Sequence, residues 1–135
     1  MFGVFSVQEM RVKPETKQLS EKPDLSAPDG SDVRLLLSLE GGSLAHFALA
    51  PSKTSKAVMH RTVEEIWYCV DGSGEMWRKS GEEESVVSVS VGTSLTIPVG
   101  THFQFRSQSQ GLAAVAITMP PWPGEDEAIF VEGPW

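Results

Sequence analysis

The chain lacks several features whose absence excludes whole classes of protein. Cys69 is its only cysteine, so no internal disulfide can form. It contains no asparagine, which excludes N-linked glycosylation and leaves Gly, Pro, Ser and Asp to form the turns. No apolar run approaches the roughly 18 residues of a transmembrane helix, and the N-terminal residues lack the basic region and apolar stretch of a signal peptide. We therefore expect a cytoplasmic protein that does not enter a membrane.

Positive charge is also scarce. The chain has 11 Lys and Arg against 18 Asp and Glu, a formal net charge of −7, and its longest basic run is Arg78-Lys79. Nucleic acids and anionic membrane surfaces are bound by clustered Lys and Arg, so neither is an expected partner. With 135 residues, of which 40% are hydrophobic, the chain is long enough to form one domain around one core.

Hydrophobic and polar residues alternate in several short segments. Residues 32–40 place four hydrophobic side chains, from Val33 to Leu39, on one face, and residues 43–51 and 86–92 alternate in the same way. An alternation with period two is typical of β-strands with one buried face. No segment shows a sustained helical period. The pattern predicts an all-β sandwich or barrel.

Two segments carry imidazole or carboxylate groups beside glycines. In residues 60–74, His60 is separated from Glu65 by four residues, and a glycine follows seven positions after Glu65. Residues 92–107 begin with a glycine, then a proline and a further glycine at the spacing Gly-x5-Pro-x-Gly. These positions are Gly72, Gly92, Pro98 and Gly100, which we expect to form turns. In order and spacing, the two segments resemble the signature motifs of the cupin superfamily.

The resemblance implies an antiparallel double-stranded β-helix, the jelly-roll barrel of the cupins, over residues 32–118. Residues 1–31 are then an N-terminal arm, with short strands expected at 2–6 and 9–13. Residues 119–135 are a Pro/Trp-rich acidic tail that packs on the barrel, as a strap, as a lid over a pocket mouth, or as an arm onto a partner subunit. The three parts form one domain. Small cupins often pair through such arms, so the resemblance also implies a homodimer.

The motif positions of a metal-dependent cupin are metal ligands, three histidines and a glutamate. His60 and Glu65 match the second histidine and the glutamate, whereas Val58 and Phe103 stand at the other two histidine positions. His102 lies one residue before the last of these. The resemblance therefore implies a divalent transition metal (Mn, Fe, Ni or Zn) held by His60, Glu65 and His102, if His102 turns inward.

Strand parity decides which side chains share the interior. With Glu65 inward, Trp67 and Cys69 also point inward, because alternate residues of a strand face the same side. For the second motif two registers are open. Either Phe103 faces the interior, which burial favours by about 1.5–3 kcal/mol per Phe, or a bulge after Gly100 turns His102 and Gln104 inward.

Two classes of function fit these residues. The resemblance implies a metal-dependent isomerase, epimerase or dioxygenase acting on a small sugar-like or aromatic molecule, with His60 and Glu65 as catalytic residues. Without a metal, His60 would act as general base and Glu65 as its acid or orienting partner. The alternative is a metal-free binding module with an apolar pocket. In either case the candidate pocket residues are Val58, Trp67, Cys69, Phe103 and Gln104.

Overall fold

A computed structural model describes residues 12–135, and every regular element in this part of the chain is a β-strand. No described segment is a helix long and apolar enough to cross a membrane. The strand expected at 2–6 and most of the one expected at 9–13 lie outside the described residues, while Val12 and Lys13 are not in a strand. The strands are β1 Leu25–Ser26, β2 Asp32–Leu39, β3 Gly42–Leu49, β4 Val58–His60, β5 Glu64–Ser80, β6 Glu83–Ser90, β7 Ser94–Ile97, β8 His102–Met119 and β9 Ala128–Phe130.

The two longest strands, β5 and β8, form the spine of a curled antiparallel sheet. They pair from Glu64↔Met119 to Lys79↔His102, while β8 also pairs with β3 and β4, and β5 also pairs with β6 and β7. The register shifts on both sides of Gly72, which has a φ of +71°. A Cβ on Gly72 would lie 2.0 Å from the carbonyl oxygen of Gly111, so only glycine allows the strands to approach here. Gly72 is thus needed for a bend within β5 and not for the turn that the motif predicts.

The apolar core fills the barrel and includes four of the candidate residues, Val58, Trp67, Cys69 and Phe103. Along β5, Glu65, Trp67 and Cys69 are buried, while Ile66 and Tyr68 between them are 44% and 50% exposed. The predicted parity of this strand is therefore confirmed. The core consists of Leu49, Val58, Trp67, Cys69, Met76, Val89, Leu95, Ile97, Phe103, Phe105, Leu112, Ala114 and Ala116.

Strand β2 departs from the regular alternation predicted for it. Val33 is buried, but Leu35 and Leu39 are 45% and 72% exposed. The pairing with β3 shifts between Leu35 and Ser38, and such an irregularity moves the side chains that follow it, such as Leu39, to the other face, whereas Leu35 precedes the shift. Because only the two-residue strand β1 lies beyond β2, this edge can bulge without disturbing the core.

The C-terminal residues are joined to the barrel by backbone hydrogen bonds. Strand β9 pairs with β4 from Val58↔Phe130 to His60↔Ala128, and the N–H of Val131 donates to the carbonyl oxygen of Ala57 at 3.0 Å. The sheet order at this edge is thus β8-β4-β9. As a result, the strand that ends at His60 is held from both sides.

Candidate active site

A partly enclosed cavity of about 370 Å³ lies at the end of the barrel where β4 ends and β5 begins. Most of its wall is apolar, and it receives side chains from β2, β3, β4, β5 and β8, from residues 25–29 and from residues 121–122. Two larger depressions, one around Arg78 and one around Lys56, are shallow and open to solvent. A concave, mainly apolar cavity with a few inward polar groups is the usual form of a small-molecule site.

His60 and Glu65 are the polar pair of this cavity. His60 is 5% exposed and Glu65 is 3% exposed, and His60 Nδ1 lies 3.6 Å from Glu65 Oε2. Trp67 Nε1 donates a hydrogen bond of 2.7 Å to the other carboxyl oxygen, Glu65 Oε1. His60 Nδ1 has no hydrogen-bond partner among the described residues. The pair is therefore held close together, with one nitrogen and one oxygen left available to a ligand.

Burial moves the pKa values of the two groups in opposite directions. Desolvation raises the pKa of Glu65 from its usual 4.5 to about 7, although the hydrogen bond from Trp67 opposes the change. Desolvation lowers the pKa of His60 from 6.5 to about 4, although the charge of Glu127 opposes it. Near neutral pH, His60 is uncharged while Glu65 exists in both protonation states. Two groups whose surroundings separate their pKa values in this way are typical of acid–base sites.

Glu127 braces the loop that joins these two residues. Its carboxylate is 4% exposed and accepts hydrogen bonds from the N–H groups of Thr62 and Val63 at 2.7 and 2.9 Å. Its carbonyl oxygen accepts one from the N–H of Arg61 at 3.0 Å. Burial alone would raise the pKa of Glu127, but the hydrogen bonds from Thr62 and Val63 lower it below its ordinary value. A carboxylate from the C-terminal segment therefore fixes the path of the chain between His60 and Glu65.

Aromatic rings surround the polar pair. His60 packs edge-on against Phe103 and Trp122, with ring centroids 5.1 and 4.9 Å apart. Trp67 stacks on Phe47 at 5.6 Å with an interplanar angle of 3°. These four rings all line the cavity. They exclude water from the pair, which explains the large desolvation of both groups.

Three of the five candidate pocket residues line the cavity with His60 and Glu65. Val58 and Phe103 are each 1% exposed and face one another across the β4–β8 ladder, and Trp67 forms the wall beside Glu65. The two positions that carry histidine in metal-dependent cupins are thus apolar surface of the same cavity.

His102, Gln104 and Cys69 lie elsewhere. The β8 ladder runs without a shift from Lys79↔His102 through Phe103 to Gln104, so no bulge turns His102 inward. Gln104 is buried, but its Nε2 donates to the carbonyl oxygen of Ser55, and it lines an open groove and not the cavity. Cys69 lies deeper in the core, where burial raises the pKa of its thiol. The register is the one favoured by burial of the Phe rings.

The residues present do not fit a transition metal. In residues 12–135 no group of three or more His, Cys, Asp or Glu is placed to hold one. The third proposed ligand, His102, is on the other face of its strand from Phe103, and one oxygen of Glu65 is already bound by Trp67. Two protein ligands are fewer than the three or four of known catalytic metal sites.

Sequence analysis missed two carboxyl groups. Glu127 was not distinguished from the other acidic residues of the tail, since its partner Thr62 is 65 positions away. Asp29 is 8% exposed and lines the cavity, and its Oδ1 accepts hydrogen bonds from Ser31 N and Oγ at 2.9 and 2.7 Å. Burial raises the pKa of Asp29. Its only sequence signal was the turn pattern Pro-Asp-Gly.

Comparison with known proteins finds similarity in structure alone. No protein-family model and no curated protein sequence matches the chain. Among solved structures, an uncharacterised protein with a double-stranded β-helix domain from Klebsiella pneumoniae has a TM-score of 0.67 at 15% identity, covering 88% of this chain and 100% of its own. Oxalate decarboxylase from Bacillus subtilis has a TM-score of 0.71 at 12% identity, and coconut cocosin one of 0.68 at 19% identity.

These similarities extend over most of this chain, but two of the three proteins compared are much longer than it. The chain is covered to 88% by oxalate decarboxylase and to 77% by cocosin, yet it spans only 33% and 30% of those two chains. Together with the curled antiparallel sheet, they show that the chain has the cupin fold, a double-stranded β-helix. A fold of this kind hosts many activities, so the function has to be argued from the site.

Proposed function

We propose that this protein is a metal-free acid–base enzyme that acts on a small molecule inside the barrel cavity. The observation that carries the proposal is the His60–Glu65 pair, 3.6 Å apart in an apolar cavity, with pKa values of about 4 and about 7. A proton-transfer group is most effective when its pKa lies near the working pH. Glu65 meets this condition and His60 does not.

The pKa values support roles that differ from those expected from the sequence. Ionised Glu65 removes a proton from a carbon next to a carbonyl group of the substrate, through Oε2, which no hydrogen bond occupies. Neutral His60 donates a hydrogen bond to the carbonyl oxygen, which becomes negative as the proton leaves. Glu65 then gives a proton to a different atom of the substrate, and while it is protonated it can exchange that proton with water. The substrate is isomerised, and no oxidant or other reactant is consumed.

The cavity wall supports this assignment because it keeps water away from the pair. Phe103 and Trp122 pack against the two sides of His60, and Trp67 holds Glu65 Oε1. A carboxylate that accepts only one hydrogen bond in an apolar wall is a stronger base than one in water. The same packing fixes the imidazole ring in one orientation.

The experiment is proton exchange in heavy water. The protein would be incubated with small uncharged ketones and aldehydes, such as acetophenone and phenylacetaldehyde, and deuterium uptake would be measured by mass spectrometry. We expect uptake with the natural protein and with Glu64→Gln, an exposed neighbour on the opposite face, and none with Glu65→Gln. Equal uptake by Glu65→Gln, or an ordinary pKa for Glu65 in a titration by NMR, would contradict the proposal.

A binding module without catalysis is the second candidate. It is favoured by Val58 and Phe103, which make apolar surface where a metal-dependent cupin has ligands. The same variants separate it from the enzyme. If the cavity binds a ring compound in the natural protein and in Glu65→Gln, and neither exchanges protons, the binding module is correct.

The metal-dependent isomerase or dioxygenase implied by the motif resemblance requires Mn, Fe, Ni or Zn on His60, Glu65 and His102. The position of His102 argues against it. Elemental analysis of protein dialysed without chelator tests it directly, since near-stoichiometric metal that is lost with His60→Ala would restore the metal site. The cytoplasmic location and the homodimer stay predictions.

A further inference from the structure

The ionisable side chains that line the cavity, among the described residues, are two carboxyl groups and one imidazole, which is uncharged near neutral pH. Its wall contains the carboxyl groups of Glu65 and Asp29 and the neutral imidazole of His60. Among residues 12–135, no Lys or Arg side chain lines it. An anionic ligand would therefore lose its hydration without gaining a charged partner, and it would be repelled by any ionised carboxylate.

The unpaired polar atoms of the site suit a ligand that donates hydrogen bonds. His60 Nδ1 is buried without a partner, and Glu65 Oε2 accepts no hydrogen bond from the described residues. The two atoms are 3.6 Å apart. This separation allows one nitrogen to lie about 2.8 Å from both atoms, which is the usual length of a charged hydrogen bond. A group with at least two N–H bonds could then donate to both at once.

We propose that the cavity binds a small aromatic or aliphatic-ring amine in its cationic form, with the ammonium group bridging His60 Nδ1 and Glu65 Oε2. The inference goes beyond the proposed function and does not depend on it, because the ammonium group would occupy Oε2, the atom that takes the proton in the proposed reaction. Such an amine would compete with a carbonyl substrate for the site. Of the sugar-like or aromatic substrate expected from the sequence, the inference keeps the aromatic class, since the described wall is mainly apolar and has few hydroxyl groups to bind a sugar.

The rest of the cavity suits such a molecule. Phe47, Trp67, Phe103 and Trp122 supply aromatic surface for the ring, and the faces of aromatic rings also attract cations. Asp29 adds a second carboxyl group, of which only Oδ1 is bound by Ser31. Among residues 12–135, Ser38, Ser43 and Thr118 bring the only hydroxyl groups to the wall, and Ser43 Oγ and Thr118 Oγ1 already bond to each other.

The test uses three probes that share one ring and differ in charge. Benzylamine is cationic, benzyl alcohol is neutral and benzoate is anionic at about pH 8, where Glu65 is largely ionised. Binding would be measured by titration calorimetry, and the indole N–H signal of Trp67 in NMR spectra would locate the probe. We expect benzylamine to bind about tenfold or more tightly than benzyl alcohol, and benzoate not to bind.

Variants assign the selectivity to the two carboxyl groups. Glu65→Gln should weaken benzylamine about tenfold or more while leaving benzyl alcohol unchanged, and Asp29→Asn should give a smaller loss in the same direction. Glu64→Gln is the matched control. Benzoate bound as tightly as benzylamine, no binding of any probe, or an equal loss of all three with Glu65→Gln would each overturn the inference.

The outcomes distinguish this inference from the proposed function. If benzylamine binds selectively but Glu65 exchanges no proton with any carbonyl compound, the cation site stands and the enzymatic proposal fails. If exchange occurs and depends on Glu65, but the charge of the ligand has no effect, the enzyme stands and the cation site fails.

Discussion

Glu65→Gln should change how the stability of the protein depends on pH. In the folded chain the pKa of Glu65 is about 7, above its usual 4.5, so the folded state binds the proton more tightly than the unfolded state. The contribution of Glu65 to stability is therefore complete below pH 4.5 and is lost as the pH rises to about 7. Glutamine has the same shape and can still accept the hydrogen bond from Trp67, but it cannot ionise.

His60 has the opposite effect. Its pKa falls from 6.5 to about 4 on folding, so its contribution is complete above pH 6.5 and is lost as the pH falls to about 4. A pKa difference of that size between the folded and unfolded states contributes about 3 kcal/mol to the free energy of unfolding for each group. Both side chains are buried, so solvent screening does not reduce the value much. Between pH 4.5 and 6.5 the contribution of Glu65 falls with pH as fast as that of His60 rises, so their sum stays constant in the natural protein.

Each single variant removes this cancellation. Relative to the natural protein, the free energy of unfolding of Glu65→Gln should rise by about 3 kcal/mol as the pH goes from 4.5 to about 7, the range over which the natural protein loses the contribution of Glu65. Relative to the natural protein, that of His60→Gln should fall by a similar amount as the pH goes from about 4 to 6.5, the range over which the natural protein gains the contribution of His60. The assay is equilibrium unfolding in urea at closely spaced pH values. Differences from the natural protein are compared, because the other titrating groups contribute equally to every curve.

Glu64→Gln is the control, because Glu64 is exposed beside Glu65 on the same strand. Its curve should run parallel to that of the natural protein. Parallel curves for Glu65→Gln would refute the reasoning, since they would mean that burial does not raise the pKa of Glu65. If the free energy of unfolding, relative to the natural protein, changed with pH in the same direction for His60→Gln and Glu65→Gln, the assignment of opposite desolvation effects would be wrong.

Three further outcomes follow from the site. The double variant Val58→His with Phe103→His should bind about one Zn or Mn per chain, because both positions line the cavity of the His60–Glu65 pair. Elemental analysis would measure the metal, and the unfolding temperature should rise when it is bound. No uptake of metal would contradict the assigned register. Glu127→Gln should lose about 1–3 kcal/mol in urea unfolding, whereas Glu125→Gln, exposed in the same segment, should lose less than about 0.5. Deleting residues 120–135 should cost more than Glu127→Gln, since β9 is lost as well; an unchanged melting temperature would show that the segment does not stabilise the barrel.

The fold could be predicted because it depends on local patterns. Alternation along each strand reports one buried face, and the parity of β5 followed from placing Glu65 inward. The spacing of Gly92, Pro98 and Gly100 indicated where the chain turns. Local patterns could not show that β2 bulges after Leu35, since the shift depends on its position near the sheet edge.

The site was only partly predictable, for two physical reasons. The sequence left two registers open after Gly100, and the choice depends on the burial energy of Phe103, which is a property of the packed core. The pKa values depend on burial too, so no sequence pattern indicates that Glu65 and not His60 titrates near neutral pH. Contacts between distant segments, such as Glu127 with Thr62, are outside the reach of any local pattern.

The hydrogen bonds of Glu127 also have a consequence for how the protein is made. Glu127 is synthesised 65 residues after Thr62, so the loop between His60 and Glu65 is unbraced until residue 127 has left the ribosome. The barrel strands β2 to β8 are all available before that moment, whereas the cavity receives its loop brace, the ring of Trp122 and strand β9 only afterwards. Assembly of the scaffold is thereby separated in time from completion of the site, and a nascent chain stalled before residue 120 would lack the ring of Trp122 beside His60 and the carboxylate of Glu127 on the loop.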